Sequence, residues 1–167
     1  MHRENGLKLI FLWFGSWKNG ESNYTPEWVK TDMQRFPRML FKDGKISNVL
    51  SNINKSCLLA DLTVYKKLIE RIAQVDKDGT VIMMQVENKV GFLGSSRDFS
   101  PQANALFEQQ VPGELIKYIT ANRGNLQPNI YTPYVNNVSK TIGTWEAVFG
   151  QSPNTAEIFM LGSMHDM

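Results

Sequence analysis

Val81-Ile82-Met83-Met84-Gln85-Val86 carries no charge and then runs straight into Glu87-Asn88-Lys89, and this stretch limits the possible folds more than any other. A short run of β-favouring apolar residues bounded by polar ones fits a strand buried on both faces that delivers polar side chains to a site at its end. Leu7 to Phe14 is a second such run, with Asn5-Gly6 ahead of it as a turn signal. Between the two, Leu58, Leu59, Leu62, Tyr65, Leu68, Ile69, Ile72 and Ala73 recur at helical spacing, with Lys66, Lys67, Glu70 and Arg71 on the opposite side. Strand, amphipathic helix, strand is a crossover unit whose strands run parallel through a right-handed connection. Sites in such units lie at the C-terminal ends of the strands, here the segments that start at Gly15 and at Glu87.

The first of these segments is long. From Gly15 to about Ser56 there is no core-like periodicity, but Thr25-Pro26 reads as a cap followed by a proline at the first helical position, and Asp43-Gly44 reads as a hairpin turn. Aromatic residues and turn chemistry throughout this segment argue for an ordered loop with a function. After the second strand, Ser100-Pro101 and Val111-Pro112 mark helix starts. Leu115, Ile116 and Ile119 give a short apolar face that stops at Asn122 and Gly124, and Thr144 to Gly150 and Thr155 to Met160 read as two further helical turns. No third parallel strand stands out. The expected class is therefore α/β, with a strand–helix–strand core and long loops on the C-terminal face, in one domain spanning 1–167.

Composition narrows the chemistry. Eighteen basic and sixteen acidic residues are interspersed, leaving no block of one sign that would point to a nucleic-acid or membrane-surface partner. Cys57 is the single cysteine and His2 and His165 the only histidines, which argues against a zinc site or a cysteine–histidine nucleophile; no metal or cofactor is expected. Neither a signal peptide nor a membrane-spanning segment is legible, so the default location is the cytoplasm. Three Asn-x-Ser/Thr sequons fall at Asn23, Asn54 and Asn137, weak signals in an asparagine-rich chain.

Gln85-Val86-Glu87-Asn88-Lys89-Val90-Gly91 resembles the Gln-(Ile/Val)-Glu-Asn-Glu-(Tyr/Val)-Gly signature of β-galactosidase-like glycoside hydrolases, the TIM-barrel clan that includes glycoside hydrolase families 35 and 42. Other blocks carry the same resemblance: Gly6 to Gly20, Trp28-Val29-Lys30 with Arg35-Phe36-Pro37-Arg38, Gly94 to Asn104, and Gly143 to about Met160. Together they cover nearly the whole chain, whereas Leu161 to Met167 departs from the family pattern. The resemblance implies a partial (β/α)8 barrel holding only the third strand, third helix, fourth strand and the segment after it, since a whole barrel takes about 250 residues.

By the same resemblance, Lys89 stands where the family has its general acid/base glutamate, and the family's nucleophile belongs to a later strand that has no counterpart here. Retaining glycosidases need two carboxyl groups about 5–5.5 Å apart. Glu87, two residues before Lys89 on the same strand face, is the one conceivable stand-in; otherwise Glu87 and Lys89 form a partly exposed ion pair. Asn88 takes the place that hydrogen-bonds a sugar 2-hydroxyl in the family, or else bonds to backbone at a strand end. Trp17, beyond the strand, is the better sugar-stacking platform, while Trp13 belongs to core packing and Trp28 and Trp145 to satellite packing under loops. The expected function is a β-galactosidase-like glycoside hydrolase by ancestry, inactive as this chain, with a β-galactoside-type carbohydrate as the implied ligand. The alternatives are a non-catalytic carbohydrate-binding remnant, and a piece of a split barrel that associates with itself or with a complementing chain.

Overall fold

The computed structural model describes residues 5–13, 18–19, 22–23, 25–86 and 92–162. It is a mixed α/β structure with seven α-helices and three two-stranded sheets among these residues. The chain divides into two compact units, Met1–Arg38 with Asn48–Val90, and Met39–Ser47 with Gly91–Met167.

The first unit is built on β1 (Leu9–Trp13), followed by two short strands, β2 (Lys18–Asn19) and β3 (Ser22–Asn23), which pair with each other antiparallel. Helix α1 (Glu27–Thr31) comes next; β4 (Arg38–Leu40) and β5 (Ile46–Leu50) form a sheet around the turn between them, with Met39–Ser47 counted in the second unit. The long helix α2 (Lys55–Val75) then leads to β6 (Val81–Val86). β1 and β6 pair parallel, from Leu9 opposite Val81 to Trp13 opposite Val86, with a register shift between Leu9 and Ile10. The crossover expected from the alternation of apolar runs and helical periodicity is thus present, with α2 reaching three residues beyond the apolar stripe at its start and two at its end.

Local chemistry fixes both ends of that crossover. Asn54 caps α2, its Oδ1 accepting the amides of Ser56 (2.9 Å) and Cys57 (3.2 Å), which satisfies two of the four donors a helix start leaves open. At the other end the Asp76 amide donates to Ile72 O, and the Asp76 carboxylate accepts the amides of Thr80 (2.9 Å) and Val81 (2.7 Å). One residue therefore ends the helix with its amide and, with its carboxylate, closes the turn at Gly79 (φ +59°) onto the start of β6. Leu9 N to Thr80 O (2.8 Å) and Lys8 Nζ to Gly79 O (2.8 Å) draw the start of β1 to the same turn.

Two expectations fail in this unit. The strands are not buried on both faces: Ile10, Leu12, Ile82 and Met83 are 54%, 45%, 59% and 57% exposed. Ile10 and Phe11, successive residues of regular β1 on opposite faces, are 54% and 40% exposed, so neither face is fully covered. The physical reason is that a parallel strand is buried by further strands and by helices on both sides, and this sheet has two strands among the described residues. Thr25 also does not cap α1; the cap position is Pro26, which makes no side-chain cap bond, and Thr25 is itself buried. The actual core of the unit is Val29, Phe36, Leu50 and Cys57 with Ala60 against them, most of it supplied by the segment that lacked periodicity.

The second unit holds the Asp43-Gly44 turn as expected. Gly44 has φ +83°, Phe41 N donates to Lys45 O, Gly44 N donates to Phe41 O, and Asp43 Oδ1 accepts Lys45 N. Five helices follow: α3 (Pro101–Phe107), α4 (Gly113–Ala121), α5 (Pro128–Asn136), α6 (Trp145–Phe149) and α7 (Pro153–Gly162). Ser100 caps α3 through Ala103 N and Thr144 caps α6 through Ala147 N; the helix start at Ser100-Pro101 and the helical turn from Thr144 fall where the sequence put them. Helix α5 has no counterpart among the sequence expectations; Pro133 lies inside it and removes one backbone donor. Trp145 is also more than satellite packing. It is 2% exposed and meets Phe149 at 6.2 Å and Phe159 at 5.3 Å between ring centroids, while Phe107 reaches Phe159 at 5.1 Å and Tyr134 reaches Phe149 at 5.9 Å. A Cβ at Gly162 would come within 2.7 Å of the Trp145 ring, so the end of the α7 backbone packs directly on that indole.

Candidate functional site

Glu87, Asn88, Lys89 and Trp17, the four residues singled out from sequence, lie outside the described residues. What the structure supplies is the frame they leave from. Because β1 and β6 are parallel and Trp13 is the partner of Val86, both strands end at the same level, side by side at the roughly 4.8 Å spacing of paired strands. The segments that begin at Phe14 and at Glu87 therefore leave one end of one sheet, where a crossover unit places its site.

Trp13 is anchored in this frame. Its indole Nε1–H donates to Asp61 Oδ2 (3.2 Å) and its ring lies 5.4 Å from Tyr65, so α2 meets β1 through the last residue of the strand. Both the polar tip and one face of this tryptophan are engaged within the unit, which fits the packing role expected of it. Trp28, by contrast, is 54% exposed and touches Phe36 edge-on at 5.5 Å.

A second polar constellation, in the other unit, was not singled out as a site by sequence. Asp98 is fully buried; its Oδ1 accepts the amides of Leu40 (3.0 Å) and Ser100 (2.8 Å) and its Oδ2 accepts the Ser100 hydroxyl (3.0 Å). Phe99 N donates to Leu40 O (3.0 Å), so the segment after Gly91 is fastened to the hairpin at Leu40 by two bonds, one to Asp98 and one from its neighbour. The Arg97 guanidinium lies between the rings of Phe99 (4.1 Å) and Phe107 (4.3 Å) and donates to Asp98 O and Asn104 Oδ1. Burial lowers the Arg97 pKa, opposed by the carboxylates of Asp98, Glu146 and Glu108. An aspartate whose oxygens are occupied by the chain's own donors is a structural clip; the Asp98-Phe99-Ser100-Pro101 order, an acidic residue just ahead of a helix cap, is the signal that could have revealed it.

The other described carboxylates with assigned roles are also structural, Asp76 holding backbone amides and Asp61 an indole. Asp43 is held below its usual pKa by hydrogen bonding to Lys45, whose own pKa the pairing raises. Among the described residues no cluster of three histidine, cysteine or acidic side chains could hold a metal, and no helix is long and apolar enough to cross a membrane. A hollow of about 420 Å³ in the second unit is lined mainly by Pro112, Leu115, Tyr118, Ile130, Ile158 and Leu161, none of them read as a site from sequence. No protein-family model matches the chain, and no curated protein matches it.

Proposed function

We propose that the chain carries the strand–helix–strand portion of a partial (β/α)8 barrel of the β-galactosidase-like glycoside hydrolases, with a β-galactoside-type sugar as its ancestral ligand and no hydrolytic activity of its own. The observation that supports this reading is the parallel β1–α2–β6 crossover, with Trp13 opposite Val86. It gives Gln85-Val86-Glu87-Asn88-Lys89 the strand-end origin that a barrel site requires. Inactivity follows from the chemistry at position 89. A lysine titrates near 10.4 and is a poor proton donor to a glycosidic oxygen beside a glutamic acid tuned to about 6; the nucleophilic carboxylate of the pair has no counterpart in the resemblance either.

Hydrolysis of an aryl β-galactoside by the purified chain tests this. The expected rate equals the buffer rate, and Lys89→Glu should not restore turnover, because it returns a proton donor without the group that attacks the anomeric carbon. Turnover that survives stringent purification and disappears in Glu87→Gln would overturn the proposal and make Glu87 the catalytic carboxylate.

A further inference from the structure

We propose that Asn5-Gly6 is a site of spontaneous covalent modification, where the asparagine closes a succinimide with the next backbone nitrogen and reopens as aspartate or isoaspartate. The Gly6 nitrogen attacks Asn5 Cγ, the Cγ–Nδ2 bond breaks, and ammonia leaves with the proton that Gly6 N gives up. Water then opens the ring. Addition at Cγ leaves aspartate; addition at the main-chain carbonyl carbon leaves isoaspartate, with the chain running through Cγ. Water is the only co-reactant, and nothing is oxidised or reduced.

The residue after the asparagine selects this position. A side chain there obstructs the approach of the nitrogen to Cγ, and glycine has none. Asn5 and Gly6 are both exposed, Gly6 stands at φ +64°, and nothing lies within 4 Å of where a Cβ on it would be, so a five-membered ring fits and water reaches it. Asn54, Asn104, Asn122 and Asn137 are half-buried and precede Lys55, Ala105, Arg123 and Val138. Asn19-Gly20 is the other Asn-Gly pair of the chain, and Gly20 lies outside the described residues.

Two Asp-Gly turns supply the contrast. Gly44 (φ +83°) and Gly79 (φ +59°) are as open as Gly6, but an aspartate closes the ring only as the neutral acid, because the ionised carboxylate has no leaving group. Near neutral pH aspartate is ionised. Asp43 is held more firmly in that form, since Lys45 bonds to it through its ammonium (2.8 Å) and its amide (3.1 Å). An asparagine amide meets no such condition, so one turn chemistry ages at Asn5 and persists at Asp43 and Asp78. The reaction lowers the formal net charge of +2 by one. Lys8 Nζ to Gly79 O and Leu9 N to Thr80 O tie down the chain just after the site, so the altered backbone falls ahead of β1 and the fold survives it. The inference stands independently of the glycosidase reading, since it needs neither a sugar nor a catalytic group.

Incubating the full chain in mildly alkaline buffer, with aliquots digested by trypsin and read by mass spectrometry, tests the assignment. The Glu4–Lys8 peptide should convert with time to two products that share the mass of an amide-to-acid exchange and separate on chromatography. Peptides carrying Asn54, Asn104, Asn137, Asp43 or Asp78 should change at least about tenfold more slowly, for want of a following glycine or of a leaving group. Asn5→Gln, which needs a six-membered ring, should hold its charge over the same period, and Asn5→Asp should elute from an ion exchanger with the aged wild type. Because the pair is already exposed, unfolding in urea should change the Asn5 rate by no more than about twofold. A Glu4–Lys8 peptide that stays intact while the Asn19 peptide converts, conversion at Asn5 only in urea, or equal ageing at Asp43 would each overturn the assignment.

Discussion

Tyr134, Phe149 and Phe159 in the second unit are at most 2% exposed, whereas Ile10, Ile82 and Met83 in the first are each more than half exposed, although all six are large and apolar. The difference lies in how each kind of element finds its neighbours. The helices from α3 to α7 follow one another through short connections, so each has a partner close by in sequence and the aromatic cluster closes locally. A parallel pair obtains its second strand only through a long crossover such as α2, and a third and fourth only through further ones. Hydropathy says that a residue favours burial; topology decides whether anything arrives to bury it. The segment with the recognisable polar signature thus extends from the thinly covered sheet, and the dense core belongs to the unit whose sequence looked like isolated helical turns.

Trp145→Ala gives this comparison its hardest test. Removing a 2%-exposed indole that touches both Phe149 and Phe159 should cost about 3–5 kcal/mol, read as a lower urea midpoint in a probe reporting on the second unit. Ile82→Ala, at a side chain 59% exposed, should cost under about 1 kcal/mol in the same titration, because little burial is lost. Equal losses at the two positions would show that the sheet is buried in solution and would break the contrast.

What sequence could and could not reveal follows the same line. The α2 periodicity, the Asp43-Gly44 turn, the helix start at Ser100-Pro101 and the helical turn from Thr144 are encoded by residues within four positions of one another, and all were legible. The parallel pairing of β1 with β6 was legible too, because a crossover helix leaves one geometry favoured. Exposure of the strands was not, since the runs themselves are as apolar as any buried strand. Phe36, Leu50 and Cys57 escaped notice as core because they come from separate elements with no period of their own. Of the candidate site, only the parallel strand pair ahead of it was readable and is present. The side chains Glu87, Asn88, Lys89 and Trp17 rest on the family resemblance alone.

Cys57 offers a finer probe of the smaller core. Burial, opposed only weakly by the charge of Arg38, pushes its thiol from 9.0 up to about 11. The folded unit holds the thiol proton more tightly than the unfolded chain, so the contribution is fully present below about pH 9. It is lost as pH rises through the folded value near 11, because only the unfolded chain ionises freely in between. Wild type should therefore lose about 2 kcal/mol more stability than Cys57→Ala between pH 8.5 and 11.5, a difference that cancels the lysines and tyrosines titrating in both proteins. Identical pH profiles would mean that water reaches this sulfur and that the first unit has no sealed core.

Asn54 carries the smallest effect and separates local from tertiary support for α2. A helix of 21 residues with few buried side chains depends on its ends more than one pressed into a core, since most helical stability otherwise comes from packing. Asn54→Ala removes the oxygen that accepts Ser56 N and Cys57 N and should cost about 1 kcal/mol, visible as a lower thermal midpoint and as faster amide exchange in the first turn. Asn54→Asp keeps the acceptor and adds negative charge at the positive end of the helix dipole, with no acidic residue already in that first turn, so it should match or slightly exceed wild type. If both substitutions destabilised equally, the capping oxygen would not be what matters at this position. If neither did, α2 would be held by packing after all, and the first unit would have to resemble the second more closely than its exposed side chains suggest.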